Sequence, residues 1–124
     1  MNSECNFDKK NMQRLITDAV KLSHESALLC EKWRKEKKLS PIVNQFYRSS
    51  NSISANMLEA TAAESAKDKI HKLSIALKES RETSGWINTL RNIAYLDDEK
   101  HLQLIKLNSR VGAGLYFIIK SMKK

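Results

Sequence analysis

Residues that turn or stiffen the backbone are scarce in this sequence, which has one Pro and three Gly among its 124 residues. Aromatic residues make up only 6%, and runs of β-branched residues are short, so the composition is not that of a sheet protein. It is typical instead of a helical one. With 41% hydrophobic and 29% charged residues, the chain has the balance of a folded protein, and we expect residues 1–124 to form a single domain.

Long apolar segments are also absent. The longest, Val111–Ile119, contains two glycines and is much shorter than the roughly 20 residues that a membrane-spanning helix needs. The N-terminal residues include Glu4 and Asp8 and no apolar stretch, so they do not resemble a secretory signal. Cys5 and Cys30 have no partner pattern around them and are expected to be reduced thiols. These features predict a cytoplasmic protein without membrane association.

The patterns that mark catalytic, metal and cofactor sites are missing too. Glu79 and Glu82 form a Glu-x-x-Glu pair, but a di-iron bundle also requires Glu-x-x-His, which occurs nowhere in the chain. The three histidines are spread over different predicted helices: His24, His71 and His101. There is no glycine-rich phosphate loop. We therefore predict no catalytic residues, no metal, no cofactor and no enzymatic activity.

Hydrophobic periodicity predicts four long helices joined by short connections. Ser40 followed by Pro41 is a typical helix start, and Ser65 and Asp97 or Asp98 are expected to begin the two later helices. The predicted helices run from about 6 to 38, from 41 to about 63, from 66 to about 94 and from 98 to about 122. Short connections force sequential helices to run antiparallel, so the predicted fold is all-α, an antiparallel up-down-up-down four-helix bundle.

Individual positions lead to further packing expectations. In the first helix, Ala27 and Cys30 follow the spacing of the apolar face. In the third, Ala94 is assigned to the core, and Gly85 is expected to allow a close approach of a neighbouring backbone. Gly112 and Gly114 in the fourth helix are interpreted as close-packing positions.

The second helix has an unusual second face. Opposite its apolar seam it carries small and amide side chains with few charges, which indicates that this face is also covered. Arg48 is expected to pair with Glu79 or Glu82 of the next helix, and we interpret the set as specifying assembly rather than binding a ligand. The polar network comprises Gln45, Arg48, Ser52, Asn56, Glu59, Glu79 and Glu82.

Positive charge is the strongest functional signal in the residues themselves. The net charge is +8, and Lys and Arg are concentrated on one face of the first helix, in the turn that follows it and on the fourth helix. Such a surface attracts polyanions, although it also suits a basic protein that is merely soluble. The candidate phosphate-binding residues are Lys10, Arg14, Lys21, Lys32, Arg34, Lys35, Lys37, Lys38, Lys106, Arg110, Lys120 and Lys124.

The two central helices carry a family resemblance. The motif of the second helix is Gln45-x-x-Arg48-x-x-x-Ser52-Ile53-x-Ala55-Asn56-x-x-Glu59, and the third continues with Lys78-Glu79-x-x-Glu82-Thr83-x-x-Trp86. Together these resemble a bacterial four-helix-bundle family encoded in intervening sequences of large-subunit ribosomal RNA genes. The sequence departs from the family pattern at Ala60 and Gly85.

This resemblance implies a bundle that assembles as a ring, typically a homopentamer. A related protein is the accessory protein of diversity-generating retroelements, a basic pentamer that binds nucleic acid and a reverse transcriptase. The leading hypothesis is therefore a non-enzymatic basic homo-oligomer that associates with RNA or DNA through phosphate contacts, with a reverse transcriptase as a protein partner by analogy. The alternative is a structural or protein-interaction module with no nucleic-acid role.

Overall fold

The computed structural model describes the backbone of residues 2–124 and the side chains of residues 9–124. It contains four helices: α1 (Asn2–Lys35), α2 (Pro41–Thr61), α3 (Ala66–Asn92) and α4 (Asp98–Met122). These hold 86% of the residues, and no strand occurs within residues 2–124. The predicted all-α fold is confirmed, whereas the expectations for Glu4, Cys5 and Asp8 concern side chains outside the described residues.

The helix starts follow from capping side chains. Ser40 Oγ accepts a hydrogen bond from the Val43 amide at 3.3 Å, and Ser65 Oγ accepts one from the Asp68 amide at 3.1 Å. Asp97 is the cap of α4, since its carboxylate accepts a bond from the Lys100 amide at 2.7 Å. Each cap satisfies an amide that has no partner within its own helix.

Two helices end earlier than predicted because a non-glycine residue adopts the left-handed conformation. Lys37 has φ 57° and Ala94 has φ 66°. At each end the next amide reaches back to close the last turn, Lys38 to the Trp33 carbonyl at 2.8 Å and Tyr95 to the Leu90 carbonyl at 2.8 Å. This is the Schellman arrangement, which glycine usually provides. Ala94 is consequently exposed, and its assignment to the core was wrong.

Contacts between helices establish the antiparallel order. Each helix packs against two others, α1 against α2 and α4, and α3 against α2 and α4. On the α1–α2 side, Ser23 contacts Ser54 while Ser26, further along α1, contacts Ser50. The partner numbers fall as the α1 numbers rise, so these two helices run in opposite directions.

The other sides of the bundle follow the same rule. Asp18 of α1 pairs with Arg110 of α4, and Glu25 pairs with Lys100. Between α3 and α4, Ser80 bonds to Asn108 and Asn88 bonds to His101. The up-down-up-down arrangement is thus confirmed.

One hydrophobic cluster runs through the bundle. Trp33 is 1% exposed, and its ring packs against Phe46 and Tyr95 with centroid distances of 6.2 and 5.5 Å. The prediction for Ala27 was wrong: Ala27 is exposed and its neighbour Ser26 is buried. Ser26 can lie on the buried face of α1 because its hydroxyl forms a hydrogen bond with the Ser50 hydroxyl of α2.

The middle of the bundle is polar, and the helical pattern predicts this only in part: it places Ser50, Ser80 and Thr83 inward but gives no such signal for Ser26 or Asn108. Ser26, Ser49, Thr83 and Asn108 are almost fully buried there. Each is hydrogen-bonded across a helix pair, including Thr83 to Ser49 at 2.9 Å. Among the described side chains no buried nitrogen or oxygen lacks a partner, as a stable polar interior requires.

Two of the three glycine expectations are confirmed. A Cβ on Gly114 would overlap the Leu15 side chain, and one on Gly112 would lie 3.0 Å from Ser80 Oγ. The Gly85 expectation was wrong, since a Cβ there would meet no atom within 4 Å. None of the helices, as far as the chain is described, has the length and apolarity needed to cross a membrane.

Candidate nucleic-acid interface

All twelve candidate phosphate-binding side chains are exposed, but they lie in two separate places. Lys32, Arg34, Lys35, Lys37 and Lys38 surround the turn between α1 and α2. The others lie on the remainder of α1 and on α4. The antiparallel fold brings the N-terminal half of α1 beside the C-terminal half of α4, so this second group includes residues distant in sequence.

Neighbouring carboxylates neutralise much of the first group. Arg34 donates to Glu31 with Nε 3.0 Å from Oε2, and this hydrogen bond lowers the pKa of Glu31. Lys32 and Lys38 both lie 3.9 Å from Glu36, and Lys38 also lies over the Tyr95 ring. A phosphate binding at this turn would have to displace these contacts.

The second group is less compensated. Among the side chains of residues 9–124, Arg110 is the one member of this group with an ion-pair partner, its Nη2 lying 3.5 Å from Asp18. The other members have no ion-pair partner among the side chains of residues 9–124. We define the α1/α4 basic face as Lys10, Arg14, Lys106, Arg110, Lys120 and Lys124. Lys21 is exposed further along α1.

Two cations that the sequence reasoning missed lie next to this face. Lys9 precedes Lys10 at the start of the described part of α1, and Lys123 lies between Lys120 and Lys124; both are exposed. The signal that could have found them is the antiparallel pairing of the first and last helices, which places a basic N-terminal segment beside a basic C-terminal one.

A groove of about 420 Å³ lies between α1 and α4 within this face. Leu15, Gly114 and Phe117 supply apolar surface, and Arg14 and Arg110 flank it. At the base of the groove Gly114 lies directly against Leu15, where a Cβ would overlap the Leu15 side chain.

The predicted polar network is only partly assembled. Arg48 donates to Glu79 Oε2 at 3.2 Å, to Glu82 Oε2 at 3.0 Å and to Gln45 Oε1 at 3.1 Å. The hydrogen bond that Arg48 donates lowers the pKa of Glu82, an effect that desolvation partly opposes. The expected pairing of Arg48 with one carboxylate is thus extended to two.

The remaining members of the network lie elsewhere on α2. Asn56 donates to the Ser52 carbonyl at 2.8 Å and to Ser52 Oγ at 3.1 Å, and Glu59 pairs with Lys72 at 3.5 Å. The structure therefore forms three small groups along α2 rather than one network. Most of this face is open to solvent in a single chain, with Gln45, Arg48 and Glu59 exposed.

The titratable residues do not form a metal-type cluster in the part of the chain that the structure describes, where no group of three His, Cys, Asp or Glu side chains converges. Cys30 is half-buried, and burial raises the pKa of its thiol, an effect only partly opposed by a hydrogen bond from Ser26. His101 Nε2 lies 2.8 Å from Asn88 Oδ1, where it joins α4 to α3.

Comparisons with known proteins give two findings. A family model described as "23S rRNA-intervening sequence protein" matches residues 12–116. A crystal structure of a protein with unknown function, from the S23 ribosomal protein family of Bacteroides thetaiotaomicron, is similar with a TM-score of 0.85 and 30% identity, over 89% of this chain and 98% of that chain. No curated protein matches the chain.

Proposed function

The chain belongs to the 23S rRNA-intervening sequence protein family, and from this premise we propose that it is a non-enzymatic, basic homo-oligomer that associates with nucleic acid through phosphate contacts. The proposal combines the positive surface of the bundle with the ring assembly that the family resemblance implies.

The observation that carries the proposal is the α1/α4 basic face. Five of its six cations have no ion-pair partner among the described side chains, so a phosphate backbone can bind these five without displacing a carboxylate of residues 9–124. Binding of this kind releases counterions from the nucleic acid and is strongly dependent on salt. It requires no recognition helix and reads no base sequence.

The second face of α2 supports the homo-oligomer. It is exposed in a single chain, yet it presents amide and small side chains together with an Arg48 guanidinium already held by two carboxylates. A charged group whose partners are within its own chain can be covered by another copy at a lower desolvation cost than an unpaired one. Leu58, an exposed apolar residue of the same helix, would also be removed from water.

Filter binding of RNA and DNA across a salt series tests the nucleic-acid role. Two triple variants carry the same change in charge: Lys10→Gln with Arg14→Gln and Lys120→Gln on the α1/α4 basic face, and Lys32→Gln with Arg34→Gln and Lys38→Gln at the turn. We expect the first to reduce the slope of log affinity against log salt by roughly 2, since each phosphate contact contributes roughly 0.7–0.9. The second should change it little.

Absence of any retention of RNA or DNA by the wild type at low salt would contradict the nucleic-acid role. Light scattering tests assembly separately: a pentamer of 14.2 kDa chains has a mass of about 71 kDa (5 × 14.2). A measured mass equal to that of one chain, 14.2 kDa, would contradict the proposed oligomer. An assembled protein that retains no nucleic acid would favour the interaction module instead.

A further inference from the structure

One stripe of α4 combines cations with an exposed aromatic ring. Spacings of three and four residues place its members on one side of the helix: Lys106, Arg110, Ala113, Phe117 and Lys120. Lys124 follows just after the end of the helix at Met122. All are exposed, and Phe117 is 60% exposed. From Lys106 to Lys120 the stripe is roughly 21 Å long at 1.5 Å per residue.

Phe117 also forms one wall of the groove between α1 and α4. The groove continues past Gly114 and Leu15, with Arg14 at its side. Asp18 also lines it and pairs with Arg110. Tyr116, half-exposed on the adjoining side of α4, has Lys120 Nζ 6.0 Å from its ring centroid. An apolar floor and an aromatic face are thus bordered by positive charge.

This combination differs from what a duplex requires. A double helix keeps its bases stacked inside and presents phosphates to a protein, so exposed Phe117 would contribute little to its binding. A single strand presents both phosphates and unstacked bases, and aromatic side chains between cations are the usual means of binding it.

A second copy of the chain is a poorer occupant of the same surface. Two such faces placed together would bring lysines and arginines against each other, and like charges across an interface are strongly unfavourable. Charge complementarity therefore favours a polyanion.

We infer that the α1/α4 basic face binds single-stranded nucleic acid, with a base stacked on Phe117 in the groove and the flanking phosphates held by Arg14 and Lys120. This inference rests on the proposed nucleic-acid role and specifies its ligand.

Fluorescence anisotropy with three labelled ligands of equal length tests the inference: a single strand of 12 deoxyadenosines, a matching abasic strand and a duplex. The variant is Phe117→Ala, and the control is Tyr47→Ala, which removes an exposed aromatic ring from α2. We expect Phe117→Ala to weaken binding of the deoxyadenosine strand about tenfold and to leave binding of the abasic strand unchanged. Tyr47→Ala should leave the ratio between these two affinities at its wild-type value.

Three results would overturn the inference. Equal wild-type affinity for the deoxyadenosine and abasic strands would show that bases are not bound, while leaving the proposed phosphate role intact. A change of assembly mass in Phe117→Ala, measured by light scattering, would identify the face as a contact between copies. Failure of the wild type to bind any of the three ligands would overturn the proposed function as well.

Discussion

Gly114 of α4 lies directly against the side chain of Leu15 in α1, so that a Cβ at position 114 would overlap Leu15. The contact holds the first and last helices close together beneath the groove. It also explains why a residue with poor helix propensity lies in the interior of α4.

The first prediction concerns this contact. Gly114→Ala should destabilise the protein by about 1 kcal/mol, because overpacking of about 1–3 kcal/mol exceeds the gain in helix propensity of about 1 kcal/mol. In a Leu15→Ala background the overlap is relieved, and the same substitution should become stabilising. Urea unfolding of the four proteins measures this coupling, and equal effects in the two backgrounds would contradict it.

Gly85 gives the opposite prediction, because its surroundings are open. Gly85→Ala should stabilise the protein by about 1 kcal/mol through helix propensity alone. Gly112→Ala is the matched control, since its Cβ would lie 3.0 Å from Ser80 Oγ and the gain should be offset. Thermal unfolding followed by circular dichroism distinguishes the two. A destabilised Gly85→Ala variant would indicate that a neighbouring copy approaches the helix there.

The third prediction concerns the two residues that adopt the left-handed conformation at helix ends, Lys37 and Ala94. Lys37→Gly and Ala94→Gly should each stabilise the protein by about 1 kcal/mol, because an L side chain at positive φ is strained by about 1–2 kcal/mol and glycine is not. Ala62→Gly is the control: Ala62 caps α2 with φ −99°, where glycine relieves no strain and is expected to be destabilising. Chemical denaturation should therefore show Lys37→Gly and Ala94→Gly to be more stable than the wild type and Ala62→Gly to be less stable. An equal effect at all three positions would refute the prediction.

The ion pair between Arg48 and Glu82 predicts a dependence of stability on pH. The pKa of Glu82 is lowered from its ordinary value of 4.5 in the folded protein. Its contribution is therefore present above pH 4.5 and is lost as the pH falls through the lower folded-state pKa. Both side chains are partly solvated, so the expected contribution is only about 0.5 kcal/mol.

Unfolding measured between pH 3 and pH 7 checks this dependence. Glu82→Gln should lose less stability than the wild type as the pH falls below about 4.5. Arg48→Gln should reduce the acid dependence in the same way, since it removes the cation that lowers the pKa of Glu82. If the curves of unfolding free energy against pH remain parallel for the wild type and the variants, the ion pair does not contribute to the acid dependence.

Much of the fold could be predicted from the sequence because periodicity and capping residues act locally. The starts at Ser40 and Ser65 were predicted in this way, and the start of α4 was predicted at Asp97 or Asp98, of which Asp97 is the cap. The ends at Lys37 and Ala94 were not, because no glycine marks them. The candidate cations were found by type, but their separation into a paired and a less compensated group depends on carboxylates such as Glu36 and on contacts that only the folded chain establishes.

The polar interior was predicted only in part, because helical spacing places Ser80 and Thr83 inward but gives no signal that Asn108 is buried. Asn108 is 1% exposed. Its Nδ2 donates to the Ser80 carbonyl at 2.8 Å and to Ser84 Oγ at 2.7 Å, while its Oδ1 accepts from Ser80 Oγ at 2.9 Å. The amide thus joins α4 to two successive turns of α3 in the middle of the bundle.

The last prediction tests whether this amide stabilises the bundle. Asn108→Leu should cost about 1–3 kcal/mol, because it leaves the buried Ser80 hydroxyl without its acceptor. Adding Ser80→Ala removes that hydroxyl and should recover part of the loss, a coupling that a double-mutant cycle in urea measures. If the double variant is as unstable as the sum of the two single ones, the cost comes from the shape of leucine rather than from the lost hydrogen bond.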